Sequence, residues 1–485
     1  MRLMRRKEIS AREVLDVHLQ QIERVNPKVN AIVTLAADQA RDRARQLDEE
    51  AAHGRFGGRL HGLPIAHKDL VETKGIRTTF GSPIFKDYVP DFSMLMIERI
   101  QQAGAITLGK TNTPEFGAGA NTRNAVYGAT GNPFDPAKSC AGSSGGSAVA
   151  LATNMVPLCQ GSDTGGSLRN PAAFCGIVGY RPTPGLVPTE RRSHGWNVLS
   201  VVGPMARTVA DTALLLSAII GDDKTDPLAT TIHGQTVRHA TDFHPLQPLD
   251  LSGLRVALTP DFGFAPTDQH ITSVFQEKTN LFRHIFARAD DATPDCAGTD
   301  DAFEVLRALG YLANHLEKSR NTPDLVGPNV RANVEEGLRY TAQDIARAMS
   351  LQTAVYQRWQ SFFQNYDVIL TPAITVSPRS WRELYPAEID GKPTRTYFHW
   401  LSMAYAVSLV GHPALSLPVG LDRNGMPFGL QIVGPRGGDA LVLRVAHQLE
   451  TLLANDARTA RPTPDLAALR AAPPISQAEG FIGFD

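Results

Sequence analysis

Cysteine is scarce in this chain: four residues in 485, at positions 140, 159, 175 and 296, with no CxxC spacing. A disulfide-stapled secreted scaffold and a thiolate zinc site are both excluded, and buried thiols in a reducing compartment are expected. Net charge is scant too, -1 at pH 7 with a pI near 6.9, so no electrostatic footprint for nucleic acid or anionic membrane is present. Long apolar runs are missing. The best, Thr212 to Ile220, falls far short of the ~20 residues a membrane helix needs. The basic stretch Met1 to Ser10 is not followed by an apolar segment, so no signal peptide is expected and a cytoplasmic location is the default. Neither HExxH nor a paired His/Cys spacing occurs, so no metal and no cofactor is expected. No fixed-period repeat is visible.

What is present is an ordinary globular composition, 42% hydrophobic and 20% charged, that reads as one large α/β domain. Ser10 and Glu13 make a capping box for a helix carrying Leu15, Leu19 and Ile22, which Asn26-Pro27 should end. Strands are expected at 31–35, 63–69, 105–108, 156–160, 254–258, 368–371, 414–419 and 429–433. Helices are expected over 93–103, 147–154, 170–178 and 439–449, and from Thr208 with Asp211 to Gly221. Residues 109–119 and 121–141 should be loops. After Gly221 a polar loop (222–251) precedes a mostly helical stretch over 266–365, its longest helix spanning 342–363. Strands alternating with helices predict an α/β/α sandwich around a large mixed sheet.

Two glycine–serine clusters dominate: Ala141-Gly-Ser-Ser-Gly-Gly-Ser147 and Gly161-Ser-Asp-Thr-Gly-Gly-Ser-Leu-Arg169. Glycine lets backbone amides approach a ligand, and serine supplies a hydroxyl for attack or proton relay. Three chemistries compete. Gly104 to Thr111 satisfies GxxxxGK[ST], yet a phosphate loop needs a strand before it and a helix after it, and here the order is reversed. Gly142 to Gly146 satisfies GxSxG with Ser144 as nucleophile, but Asn132-Pro-Phe-Asp-Pro136 cannot form the central strand an elbow requires. The third uses Lys68 as base and Ser167, just before a helix N-terminus, as nucleophile among free backbone N–H groups.

The third reading coincides with a known pattern. The stretches Gly62-Leu-Pro-Ile-Ala-His-Lys68-Asp69, Gly109-Lys-Thr-Asn-Thr-Pro-Glu115, Gly142-Ser-Ser-Gly-Gly-Ser147 and Gly161 to Arg169 together resemble the amidase signature hydrolases. The likeness continues through Ala173-Phe-Cys-Gly176 and returns at Pro413 to Pro418. Ser139-Cys140-Ala141 departs from the family's usual Pro-Gly-Gly or similar, with small residues still in place. The resemblance implies that Lys68 is the base, Ser143 the bridging serine behind a cis Gly142–Ser143 bond, and Ser167 the nucleophile. It implies an oxyanion hole from the amides of Thr164, Gly165, Gly166 and Ser167. Asp163, Arg169 and Ser144 would brace the loop. Gly117, Tyr127, His194 and Trp196 are candidates for the substrate pocket. His67, next to Lys68 on a strand, should face the other way and pack.

The domain expected is a single one, with a signature core at about 60–220, a helical pocket insert at about 222–400 and a peripheral tail at about 456–485. The function implied is an amidase that releases an amine or ammonia from a small carboxamide, anilide or carbamate through an acyl-enzyme on Ser167. The partner is a small amide-type substrate, without nucleic acid or membrane, and a homodimer is compatible with it. One alternative is the glutamine-hydrolysing A subunit of a tRNA-dependent amidotransferase. That group continues Lys-Pro-Thr-Tyr-Gly-Arg-Val-Ser-Arg where this chain has Arg181-Pro-Thr-Pro-Gly-Leu-Val-Pro-Thr189. The other is a non-catalytic amidase-like scaffold, against which all three triad positions are filled.

Overall fold

Short apolar stretches bounded by glycine and proline become strands covered on both faces. The computed structural model describes residues 2–229, 231–232 and 235–483, the side chains of Ile232 and Gln235 apart. In chain order the strands of the main sheet are β1 (Ile32–Leu35), β2 (Pro64–Lys68), β3 (Ile106–Thr111), β4 (Leu158–Asp163), β5 (Val178–Arg181) and β6 (Val201–Ala206). They are followed by β7 (Arg255–Leu258), β8 (Arg288–Asp291), β9 (Val368–Pro372), β10 (Ala414–Leu421) and β11 (Pro427–Val433). The spatial order is β1-β3-β2-β4-β6-β5-β10-β11-β9-β7-β8. Strands β3, β2 and β4 run parallel, as do β9, β7 and β8, while the pairs from β4 through β6, β5, β10 and β11 to β9 are antiparallel. The sheet is mixed, as expected.

Alternation along each strand sends successive side chains into two separate cores. Ile65, Leu158, Val256 and Leu370 join the cluster formed with helices Leu95–Gln102, Val209–Ile219 and Asp439–Leu453. Their neighbours Ala66, Cys159, Ala257 and Ile369 join the cluster formed with helices Ala11–Val29, Gly145–Ala152, Thr299–Asn321 and Ala342–Phe362. Burying a Leu, Ile or Val side chain contributes roughly 1.5–3 kcal/mol, so both faces of the sheet are held by apolar burial. The second layer carries the site.

Several boundaries differ from the sequence expectation. The first helix keeps its Ser10–Glu13 capping box but runs through Pro27 to Val29, ending at Asn30 in the left-handed region. Asn26 shapes this exit, its side-chain oxygen accepting the amides of Ala31 and Ile32. Residues 109–111, expected as loop, belong to β3. Gly109 has φ +151, and a Cβ there would lie 2.0 Å from the Thr34 carbonyl oxygen, so the glycine serves a bulge in the sheet. Strands β5, β6 and β8 are additions to the expected set. Pro204 masks β6, because proline within an apolar run argues against a strand, and Gly176 ends the helix before β5 in the left-handed region. The polar loop over 222–251 lies partly outside the described residues.

Candidate active site

Lys68 closes β2, and alternation turns it toward the layer that holds the 145–152 helix. It is fully buried, and its Nζ donates to Ser143 Oγ at 2.6 Å and to Ser162 Oγ at 3.0 Å. Burial pulls the Lys68 ammonium down to about 7, against the opposing pull of the Asp163 carboxylate. That displacement corresponds to about 5 kcal/mol between its two protonation states. His67, one residue earlier, faces the other layer: Nε2 lies 3.1 Å from Thr107 Oγ1, and burial with the Lys110 charge pushes it down to about 3. Asp69 does not pair with Lys68. Its carboxylate accepts the Thr79 amide and hydroxyl, and burial raises it to about 6.

Both glycine–serine clusters sit at helix beginnings. The Gly142–Ser143 peptide bond is cis, and helix Gly145–Ala152 starts two residues later. The Ser144 amide donates to the Ser167 carbonyl at 3.2 Å, which stitches the first cluster to the second. Ser144 Oγ lies 3.4 Å from both the Ser162 amide and its carbonyl, so it joins the clusters rather than reaching the cavity. Among the described residues no strand leads into Gly142, and Lys110 lies inside β3 with Nζ donating to the Val71 carbonyl. Neither a nucleophile elbow nor a phosphate loop is formed.

The second cluster leaves β4 at Asp163 and turns into helix Arg169–Cys175. Asp163 organises this turn. Its carboxylate accepts the amides of Gly166 (2.9 Å) and Leu168 (3.1 Å), two bonds from Arg169 and one from Arg181. Burial alone would raise Asp163, but the two guanidinium groups outweigh it and hold the carboxylate well below its usual range. Arg169 also donates to the Ala404 carbonyl, Gln431 Oε1 and Ser408 Oγ, anchoring the loop to distant strands and helices. Gly166 adopts φ +108, where a Cβ would meet Ala404 at 2.4 Å. Its amide, expected among the oxyanion donors, is instead committed to Asp163. The amides of Thr164, Gly165 and Ser167 carry no hydrogen bond among the described residues.

Ser143, Ser162, Thr164, Gly165 and Ser167 line one cavity of about 130 Å³, together with Gly117. A Cβ on Gly117 would sit 3.3 Å from Ser143 Oγ. This cavity opens into a wider one of about 560 Å³, which His194 lines. Two pocket candidates fall elsewhere. Tyr127 is held by the Asn124 side chain, which accepts its amide, and its hydroxyl lies 3.0 Å from Thr34 Oγ1, away from both cavities. Trp196 is 81% exposed and lines neither. The walls that the sequence does not reveal come from helix Thr299–Asn321 (Phe303, Arg307, Tyr311) and from Phe398 and Leu401. Phe303, Arg307 and Tyr311 recur every four residues, a helical face that sequence shows but cannot aim. Ser162 is a further addition, although it stands beside Asp163 in the motif. Arg181, opposite Arg169 on Asp163, has no local signal. Among the described residues no group of three or more His, Cys, Asp or Glu side chains could hold a metal ion, and no helix is long and apolar enough to cross a membrane.

Known proteins resemble this chain over most of its length. The family model described as Amidase matches residues 13–443. An acylamidase from Rhodococcus erythropolis is 33% identical over 450 residues, 92% of each chain. A glutamyl-tRNA(Gln) amidotransferase A subunit from Picosynechococcus is 34% identical, covering 92% of this chain and 95% of its own. A bacterial aryl acylamidase of the amidase signature family superposes with a TM-score of 0.84 at 27% identity, over 92% of this chain and 94% of its own. With the profile spanning nearly the whole sequence and the fold superposing throughout, this chain belongs to the amidase signature family of amide-bond hydrolases.

Proposed function

We propose that Lys68, Ser143 and Ser167 form the catalytic triad, and that the enzyme cleaves the C–N bond of a small carboxamide, anilide or carbamate. The observation that carries this reading is the buried Lys68 Nζ at 2.6 Å from Ser143 Oγ, on the cavity that Ser167 also lines. Burial lowers Lys68 to about 7, which brings its neutral amine within reach near neutral pH. That amine takes the Ser143 proton while Ser143 takes the proton of Ser167, whose oxygen attacks the carbonyl. The oxyanion is met by the uncommitted amides of Thr164, Gly165 and Ser167, which the Asp163 brace keeps in place. The proton returns through Ser143 to the leaving nitrogen, and the ester on Ser167 is then cleaved by water over the same relay.

The test is a fluorophosphonate probe followed by peptide mapping, beside an activity panel of amides, anilides, carbamates and esters. Labelling of Ser167 that disappears in Lys68→Ala supports the triad; a folded protein in which Ser167 stays unlabelled contradicts it and favours a scaffold role.

The 34% identity to an amidotransferase A subunit favours one second reading, glutamine hydrolysis within a complex. It would show as glutaminase activity that depends on tRNA and a co-purifying protein. The Arg181 to Thr189 segment and the fit to an aryl acylamidase favour the free-standing amidase. The four cysteines are buried and unpaired, which fits work in the reducing cytoplasm on a small-molecule substrate.

A further inference from the structure

Arg307 differs from the other deeply buried arginines of this chain. Arg169 and Arg181 share the Asp163 carboxylate. Arg307, only 7% exposed, forms no ion pair with any Asp or Glu among the described residues. Its Nη2 donates to Tyr397 Oη at 2.6 Å and Tyr311 Oη at 3.4 Å, and its guanidinium lies over the rings of Tyr311 and Phe398 at 4.7 and 4.8 Å. Nε has no acceptor, and Nη1 donates to none among the described residues. A guanidinium offers five donors in a planar fork that matches a carboxylate. A buried cation with two nitrogens uncommitted is costly to keep unless a ligand completes it.

Its position says which ligand. Arg307 lines both the inner cavity that holds Ser143 and Ser167 and the wider cavity outside it. The outer cavity is itself lined by Arg191, Arg192 and Lys318 against one carboxylate, Glu72. Arg192 is taken up by Asp226, which leaves Arg191 and Lys318 to attract anions toward the mouth. We propose that Arg307 is a specificity-determining residue that receives a carboxylate borne by the substrate, so that the enzyme prefers anionic amides. This inference rests on the amide-hydrolase site described above. Tyr311 and Tyr397 hold the fork in place, and the aromatic rings around it exclude water from the pair.

The carboxylate could belong to the acyl part or to the amine part, and two matched pairs of anilides separate these. Succinanilate is compared with 4-methylpentananilide, and 4-acetamidobenzoate with 4-isopropylacetanilide, by release of the arylamine. In at least one pair the wild type should favour the anion by ~10-fold or more in kcat/KM. Arg307→Gln should lose ~100-fold on that anion, the size of a charged hydrogen-bonded contact, a loss at least ~10-fold greater than on the neutral partner. Arg307→Lys should keep part of the preference, since charge remains and the fork is lost. Equal losses on both members of each pair, or a wild type that favours the neutral ones, would overturn the assignment. A binding readout independent of turnover completes the design: the preferred anion should raise the Tm of wild type and not of Arg307→Gln, and no shift in wild type also overturns it. Failure of Ser167 to label, with the Tm shift intact, would sink the catalytic reading and leave the carboxylate site standing.

Discussion

Lys68 on β2 and Lys110 on β3 lie on adjacent strands, and neither has any exposed surface. Burial lowers both, to about 7 and about 8. Their surroundings differ. Lys110 donates to the Val71 carbonyl and to the hydroxyls of Thr73 and Thr78, and the carboxylates of Asp69 and Glu72 oppose its neutralisation. Those two hydroxyls donate onward to the carbonyls of Val71 and Ile76, where the chain of hydrogen bonds ends. Lys68 meets two serine hydroxyls, and the carboxylate that acts on it, Asp163, is itself committed to Arg169 and Arg181. Both of those serines line the cavity. Burial by itself therefore does not distinguish the two lysines. Under the proposed triad, what separates them is whether a hydroxyl on the cavity meets the amine.

The strongest way to break this comparison is to remove each lysine in turn. Lys68→Ala should lower kcat by ~10³-fold or more with a near-normal far-UV spectrum, because proton transfer by a positioned base contributes roughly 10²–10⁴. Lys110→Met should do the reverse, leaving turnover per folded molecule within about tenfold and costing about 1–3 kcal/mol of stability, because the Val71 carbonyl and the hydroxyls of Thr73 and Thr78 lose their buried donor. Urea titrations and active-site labelling read both. A folded Lys110→Met without activity would show that the two lysines are not separable.

Next in size is the relay. Ser143→Ala should lower kcat by ~10²–10⁴-fold while the slope of unfolding against urea is unchanged. Smaller still is the pH dependence. The amine must be neutral to act, so kcat/KM should rise with pH through about 7 and level off above it, the direction set by the lowered Lys68. A profile that falls as pH rises through that window would contradict the assignment. Ser162→Ala removes an acceptor of the ammonium and should move the midpoint down by up to about one unit, measured by the same pH series.

Stability offers the finest distinction. A lysine whose folded value lies near 7 or 8 and whose unfolded value is about 10.4 binds fewer protons when folded across that interval. The unfolded chain then holds more protons, so stability rises with pH from about 8 to 10, by ~1.4 kcal/mol per unit for each lysine. Lys68→Met and Lys110→Met should each remove one such increment from the slope of unfolding free energy against pH.

Much of the site is legible in the sequence because its chemistry is local. The glycine–serine clusters, Asp163 with Arg169, and the burial of Lys68 follow from runs of six to nine residues whose neighbours in sequence are also neighbours in space. The capping box at Ser10 and the N-cap at Thr208 are readable for the same reason. Tyr127 and Trp196 escape such a reading because a loop gives no sense of direction: an asparagine at 124 turns one toward Thr34, and the other stands out in solvent. Gly166 reads as an oxyanion donor in the motif, and only the position of the Asp163 carboxylate shows its amide to be taken.

By itself, then, the sequence determined which groups could act: an amine on a strand, two hydroxyls beside helix starts, glycines where a side chain would not fit. Periodicity and local hydrogen bonding suffice for that. Only the tertiary structure decided which amides stay free, which of two buried lysines meets a serine, and that Arg307 comes to face the same cavity from a helix 140 residues beyond Ser167. Those outcomes depend on how distant segments pack against one sheet, and packing between segments far apart in the chain leaves no period in the sequence to read.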